Sequence, residues 1–307
     1  MKVGIIIPFY GGNRYLKRLI SSMCLDDGIY DKKVFLVDNS LPTEKVDLNI
    51  LEGDVNVEII ESGVGLGFGK ACNIGFNRCK ELGFDYILIV NQDGYFHQNT
   101  LNLMIYTLVN NKDVSVALPV LMELDSNKVE SFFTHVYLTP LTDLVSDLLV
   151  NKVKSFYPIN SICGACLILR VSDYREFDYL FDPLFHMYYE DEDLCLRLRG
   201  LNLNMIIIPD AIFHHFHSNT NNYANASFAD LLMRFRSRQI FQLKNKEKLT
   251  FKRFTGFFLF EFSKVLGFLF QLELKLMFAQ ILSIISFVFI VPRVIVSMNK
   301  QELILRN

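Results

Sequence analysis

The sequence predicts an α/β fold built on a mainly parallel sheet flanked by helices, and three observations carry that expectation. Short β-branched apolar runs alternate with helical patterns through the first part of the chain. Acids, amides and glycines sit directly after several of those runs, where open α/β sheets bind their ligands. The apolar excess, 51% of 307 residues, then gathers in a C-terminal stretch of different character.

Taken in order, the N-terminal run Val3 to Ile7 is too short for a signal peptide and is stopped by Pro8, so it is expected to be a first strand of a protein that is not secreted. Further strands are expected at Lys33 to Val37, Val57 to Ile60, Tyr86 to Val90 and Val114 to Leu118. Helices are expected between them, at Arg14 to Cys24, Phe68 to Leu82 and Gln98 to Asn110. The stretch from Glu123 to Tyr157 is less regular and reads as a flap or an acceptor-side insertion. Two more apolar strands, Ser161 to Leu169 and Asn204 to Ile208, enclose an acidic helix that starts near Glu190.

Composition changes at about Ala226, which divides the chain into a domain over 1–225 and a basic, apolar helical region over 226–307. Basic residues cluster at Arg234, Arg236, Arg238, Lys244, Lys246, Lys248, Lys252 and Arg253. Two apolar stretches follow, Thr255 to Phe270 and Leu276 to Pro292. The second reaches the lower length limit for crossing a bilayer. The first carries Glu261 and Lys264, which suits a helix lying in the interface. Lysines and arginines beside apolar helices are the pattern of a cytoplasmic membrane face. Association with the inner face of the cell membrane is therefore expected, against the alternatives of a buried helical subdomain or an oligomer interface.

The net charge of −2 gives no electrostatic case for nucleic acid. Of the six cysteines only Cys163 and Cys166 are close in sequence, inside a strand-like run and without a second pair to complete a zinc site. Nothing in their spacing is a disulfide framework, as expected in a reducing cytosol.

Candidate site residues follow the expected strands. In Val37-Asp38-Asn39-Ser40 the aspartate either accepts the N3–H of a pyrimidine or caps a turn. Gly63, Gly65, Gly67 and Gly69 lead into a helix, an entry that lets a phosphate approach backbone amides. The spacing matches neither G-x-G-x-x-G nor a Walker A loop. Asn73 lies within reach of such a site, while Gly75 reads equally well as a helix-packing glycine. In Asn91-Gln92-Asp93-Gly94 the acid is a metal ligand for a nucleotide diphosphate or a turn former. His214, His215 and His217 follow another strand, a density that points to metal or phosphate contact. Glu190, Asp191, Glu192 and Asp193 occupy the first turn of a helix. They either complement its dipole or supply a catalytic base held ionised by it. Asp193 stands four residues before Arg197, the favourable order for a helical ion pair.

Together and in order, these fragments resemble a family 2 glycosyltransferase of the bacterial rhamnosyltransferase and galactofuranosyltransferase branch. The resemblance covers roughly residues 1–245. It rests on Ile5-Ile6-Ile7-Pro8-Phe9-Tyr10, Val37-Asp38-Asn39-Ser40, the Gly67 to Gly75 segment and Asn91-Gln92-Asp93. It continues through Gly164-Ala165-Cys166, Phe181-Asp182, the acidic run with Arg197, and Pro209-Asp210-Ala211 with His215 and Ser218.

The resemblance implies a GT-A nucleotide-sugar fold with a C-terminal membrane-associating extension. It implies an inverting transfer from a dTDP- or UDP-sugar to a saccharide or polyprenyl-linked acceptor in surface polysaccharide synthesis. Asp191 is implied as the base, and Asp93 with His215 as the holders of Mg2+ or Mn2+. Asp38 is implied to pair with the pyrimidine. Pro8, Tyr10, Asn39, Gly67, Gly69, Asn73, Gln92, Gly164, Ala165, Glu190 and Arg197 are implied along the nucleotide-sugar site. Asn91 departs from the D-x-D pattern and removes one charge from the metal motif. The rival readings are a non-catalytic scaffold with this fold and a sugar nucleotidyltransferase, of which Gly11-Gly12-Asn13-Arg14 is a faint echo.

Overall fold

The computed structural model describes residues 1–24, 30–51, 56–216, 223, 226–245 and 250–306. These form two compact units, Met1–Phe181 with Leu198–His217, and Asp182–Arg197 with Ser218–Asn307. The sequence placed a single cut after residue 225; contacts instead group the start of the acidic helix with the C-terminal helices.

The first unit begins with strand β1 (Lys2–Phe9), helix α1 (Asn13–Cys24), β2 (Asp31–Asp38) and β3 (Val57–Glu61). Then come α2 (Phe68–Glu81), β4 (Tyr86–Val90), β5 (Gly94–Phe96), α3 (Thr100–Asn110) and β6 (Val114–Glu123). The irregular region holds α4 (Ser131–Phe133) with a wider π-type continuation, α5 (Thr142–Leu149) and the short β7 (Tyr157–Ile159). Strand β8 (Cys166–Arg170) and, after the acidic helix α6 (Glu190–Gly200), strand β9 (Asn204–His215) complete the sheet. Among the described residues the nine strands form one sheet in the order β3-β2-β1-β4-β8-β6-β9-β5, with β7 paired to β9.

The sheet is mixed, a correction to the mainly parallel expectation. Strands β1 to β4 pair in parallel, and β6 pairs in parallel with β9. Strand β8 runs antiparallel between β4 and β6, and β5 and β7 run antiparallel to β9. Strand β4 is buried along its whole length, which is why its sequence is continuously apolar rather than alternating.

Two strand expectations also shift. Only Cys166–Arg170 of the expected 161–169 run forms a strand. Strand β9 is longer than expected, because Pro209 to Ala211 do not end it. Pro119 opposes Ile208 while Val120 opposes Ile212, so the extra residues are taken up as a bulge. The strand then resumes with alternating burial through His214 and His215, which lie inside it rather than after it.

The second unit contains α7 (Phe228–Lys244), α8 (Phe251–Phe270), α9 (Leu274–Val288) and α10 (Val291–Arg306). Ser227 and Asp230 form a reciprocal capping box that starts α7, and the Thr250 side chain caps α8. The expected apolar stretch 276–292 is split by a bend of 65° between α9 and the segment Val291–Gln301. Pro292 sits in the first turn of α10, where its missing N–H costs nothing. No single described helix is long and apolar enough to cross a membrane, although this bent pair passes by length and composition. An apolar core joins Phe185, Ile240, Leu243, Phe257, Phe287 and Val294.

Candidate active site

Within the first unit, the residues singled out by sequence gather where β1, β2 and β4 end. Asp38 closes β2 and is buried; its Oδ1 accepts the Ser40 N–H at 2.9 Å and its Oδ2 the Val46 N–H at 3.2 Å. Lys45 Nζ stands 3.6 Å from the same carboxylate. The turn-capping role is thus realised, and base recognition would use the remaining lone pairs.

Several expected nucleotide contacts instead hold the loops around this point. Asn39 donates its amide to the Phe9 carbonyl at 2.9 Å, tying β2 to β1. Gln92 accepts the Tyr10 N–H at 2.9 Å and donates to the Gly11 carbonyl at 2.6 Å, so its amide clamps the loop after Pro8. The Tyr10 side chain is exposed. Gly65 N–H reaches the Asn39 carbonyl at 2.8 Å. Gly67, at φ 87°, caps α2 in a backbone region that L side chains avoid, and Gly69 is buried in the first turn. Asn73 is committed elsewhere: it donates to the Phe181 carbonyl at 2.6 Å and accepts from Leu180 and Phe181. The carbonyl of Ala165, next to Gly164, accepts the Asn91 N–H at 2.8 Å, which sets this pair beside the end of β4.

The metal candidates do meet. Asp93 Oδ1 lies 3.4 Å from His215 Nε2 although 122 positions separate them in sequence, because β5 pairs with the end of β9. Asn91 Nδ2 lies 3.3 Å from the same ring nitrogen. The other ring nitrogen, Nδ1, stands 2.8 Å from a carboxylate the sequence reading missed, that of buried Glu130. Burial of the imidazole lowers its basicity, but the hydrogen bonds to Asp93 and Glu130 outweigh this and push His215 up to about 9. Glu130 carries no local motif. It arrives only because Val129 bridges to Met122, next to the β6–β9 pairing. His214 stacks on Tyr95 with ring centres 4.5 Å apart. His217 and Ser218 lie outside the described residues.

Among the described residues no group of three or more His, Cys, Asp or Glu is arranged to hold a metal ion. The protein therefore offers two donors, a carboxylate oxygen and an imidazole nitrogen, converging on one point. The carboxylate suits a hard divalent cation completed by diphosphate oxygens and water, while the imidazole, raised to about 9, ligates only after losing its proton. The Glu130–His215 contact matches the way ligating histidines are oriented from their second nitrogen. Cys163 and Cys166 form no disulfide among the described residues, and burial raises the Cys166 thiol well above its ordinary value.

In the second unit, Tyr188 and Tyr189 precede α6 with φ of 69° and 68°. Bulky side chains in the left-handed region are strained, and such strain concentrates at functional sites. It is held in place from α7: Arg234 donates to the Tyr188 hydroxyl at 2.9 Å and lies over its ring, while Tyr189 packs on Phe241. The four acids that follow are unequal. Asp193 is fully buried, with Arg197 Nε on one oxygen at 3.0 Å and Lys244 Nζ on the other at 2.6 Å. Lys244 also bonds Asp182 at 2.6 Å, so one buried ammonium bridges two buried carboxylates. Arg197, expected at the nucleotide sugar, is buried on Asp193.

Glu190 is buried, and its Oε2 has no hydrogen-bond partner among the described residues. Desolvation first, then repulsion from the Asp191 carboxylate, pushes it up to about 8, so it is neutral at pH 7. Glu192 rises for the same reasons, but its side chain is exposed and water screens the effect. Asp191 is half-buried at the second position of the helix, and its Oδ1 accepts the Glu192 N–H of its own turn at 3.0 Å.

Sequence and fold comparisons bear on the family and the fold. The family pattern described as Glycosyl transferase family 2 matches residues 4–176. The chain is 29% identical over 241 residues to rhamnosyltransferase WbbL of Escherichia coli (strain K12), covering 73% of this chain and 88% of the relative. Among solved structures it resembles S. aureus TarS 1–349 in complex with UDP, with a TM-score of 0.55, 16% identity and coverage of 81% of this chain and 67% of that one. It also resembles the mannosyltransferase PcManGT of Pyrobaculum calidifontis in complex with GDP-Man and Mn2+, with a TM-score of 0.55, 12% identity and coverage of 81% and 65%.

Proposed function

The chain belongs to glycosyl transferase family 2, and on that premise we propose an inverting transfer from a UDP- or dTDP-activated sugar. The sugar is rhamnose-like or another hexose or furanose, and the acceptor is a saccharide or lipid-linked saccharide of cell-surface polysaccharide synthesis. The observation that carries the donor side is the approach of Asp93 and His215 to 3.4 Å at the end of the sheet. Binding of UDP by TarS and of GDP-Man with Mn2+ by PcManGT supports a nucleotide-sugar donor.

In this reading Asp38 accepts the pyrimidine N3–H, and the glycine-rich entry to α2 lets the diphosphate approach backbone amides. Asp93 and His215 would hold Mg2+ or Mn2+, with Glu130 fixing the imidazole. When bound, the cation neutralises charge developing on the departing diphosphate. Asp191 takes the proton of the acceptor hydroxyl as that oxygen bonds to the anomeric carbon and the nucleoside diphosphate leaves from the opposite face. Glu190, neutral beside it, adds no second negative charge. The enzyme works at the inner face of the cell membrane, where lipid-linked acceptors are presented.

Replacing Asp191 with Asn is expected to abolish sugar transfer and to leave donor binding within about twofold, since the carboxylate acts on the acceptor proton. Full turnover by the variant would remove Asp191 from the mechanism. Purified protein that hydrolyses no UDP- or dTDP-sugar with either cation would favour a non-catalytic scaffold, the reading that Asn91 supports.

A further inference from the structure

The C-terminal unit combines the apolar core already described with buried polar groups and an apolar outer face. Its interior carries a polar network: Glu261 of α8 accepts from Arg238 at 3.1 Å, Gln239 at 2.9 Å and Gln280 at 2.7 Å. Gln239 also donates to Ser283 at 2.9 Å, and Lys264 closes the second carboxylate oxygen at 2.9 Å. Glu261, Gln239, Gln280 and Ser283 are each fully buried. The outside is apolar. On α9, Phe278, Leu282, Ile285 and Phe289 recur at helical spacing and are 45–79% exposed, opposite the buried Gln280, Ser283 and Phe287. On α8, Phe262 and Leu266 stand equally exposed. A continuous apolar face of this kind marks an interaction surface rather than ordinary scatter.

Charge identifies what covers it. Residues 226–307 hold thirteen Lys and Arg against five Asp and Glu, a net +8 in a chain whose total is −2. On α8 to α10 and their short links, the exposed charges among the described side chains are Lys252, Arg253, Lys275, Arg293 and Lys300 against Glu273 alone. Counting the five acids and one arginine of Asp182–Arg197, which belong to the same unit, leaves the unit at +4, so a second copy still meets like charge. An anionic lipid surface takes both the phenylalanines and the cations. The 65° bend between α9 and the following segment, with polar side chains turned inward, suits helices lying in the interface plane.

We infer that this unit docks on an anionic lipid monolayer face, with the apolar stripes of α8 and α9 inserted and the lysines and arginines at the headgroups. The inference rests on the membrane-side reading above and gives it a surface and a lipid chemistry. The unit that docks also carries the acidic turn with Asp191.

The test is sedimentation of the full chain with phosphatidylglycerol–phosphatidylcholine vesicles and with phosphatidylcholine alone, at low and high salt. The expected result is binding to the anionic vesicles at least roughly tenfold tighter than to the neutral ones, and weakened by salt. The double variant Ile285→Glu, Phe289→Glu changes only exposed positions and is expected to lose at least roughly tenfold in vesicle binding, with unchanged circular dichroism and melting temperature. Equal partition of wild type and variant, or no binding to either vesicle, overturns the inference. So does a dimer in gel filtration that the same variant dissolves, because that makes the occupant a second copy. Donor hydrolysis in solution is read in parallel: its absence with vesicle binding intact sinks the catalytic reading and leaves the lipid surface standing.

Discussion

Replacing Lys244 with Met removes the ammonium that bridges Asp182 and Asp193, each 2.6 Å away and all three nearly inaccessible to water. Breaking a buried ion pair by deleting one partner costs about 3–5 kcal/mol, because the other charge is left buried and uncompensated. Asp193 keeps Arg197 at 3.0 Å. Asp182 keeps the Ser297 hydroxyl and the Leu184 N–H. At about 2–4 °C per kcal/mol for chains approaching this size, the melting temperature is expected to fall by about 10 °C at pH 7. The pH dependence gives the sharper check. In the wild type, burial raises the Asp182 carboxyl, but attraction and hydrogen bonding from Lys244 dominate and hold it below the ordinary value. Its contribution to stability is therefore present above the unfolded carboxylate range and lost as pH falls through the folded value. In the variant the uncompensated carboxylate shifts the opposite way, so protonation relieves it and the deficit narrows as pH drops towards about 4. Thermal melts from pH 4 to 8, followed by circular dichroism, measure this. A deficit below about 1 kcal/mol, or one that does not change with pH, would refute the claim that Lys244 neutralises a buried pair.

Two further outcomes are expected. Glu130→Gln removes the charge that orients His215, and Mn2+ or Mg2+ activation of donor hydrolysis should weaken by about 10–100-fold with the fold intact; an unchanged metal titration would show that Glu130 only fills space. Glu190, raised to about 8, binds its proton more tightly folded than unfolded, so stability falls as pH rises from the ordinary carboxylate range through 8. Glu190→Gln should flatten that slope and melt higher than wild type at pH 8.5, whereas parallel profiles would mean that Glu190 is ionised in the fold.

Much of this was legible in the sequence because it is local. The run Tyr86 to Val90 has the composition of a strand buried on both faces, and the glycine entry to Phe68 announces a helix start, so β4 and α2 appear where expected. Asp193 and Arg197 form the pair their spacing predicts. The direction of β8 was not legible, since an antiparallel strand buried on both faces reads like a parallel one. Pro209-Asp210 imitates a strand end, and only pairing with β6 shows that the chain bulges and continues to His215. Asn73 and Arg197 carry residue types suited to a ligand, yet the fold spends them on Phe181 and Asp193.

The sequence by itself determined the family and the alternation of strands and helices, and it singled out the acids and the histidine proposed for the chemistry. These depend on residue type and on spacings of a few positions, which a linear reading contains. Only the tertiary structure decided that Glu130 meets His215, that Lys244 binds Asp182 and Asp193, and that the C-terminal helices bury Glu261 and Gln280 while leaving Phe262 and Phe278 exposed. Each of those facts is a contact between distant segments or a choice of which helix face is buried. Burial then sets the energetics, since the same carboxylate that is ordinary in water is raised at Glu190 and held low at Asp182.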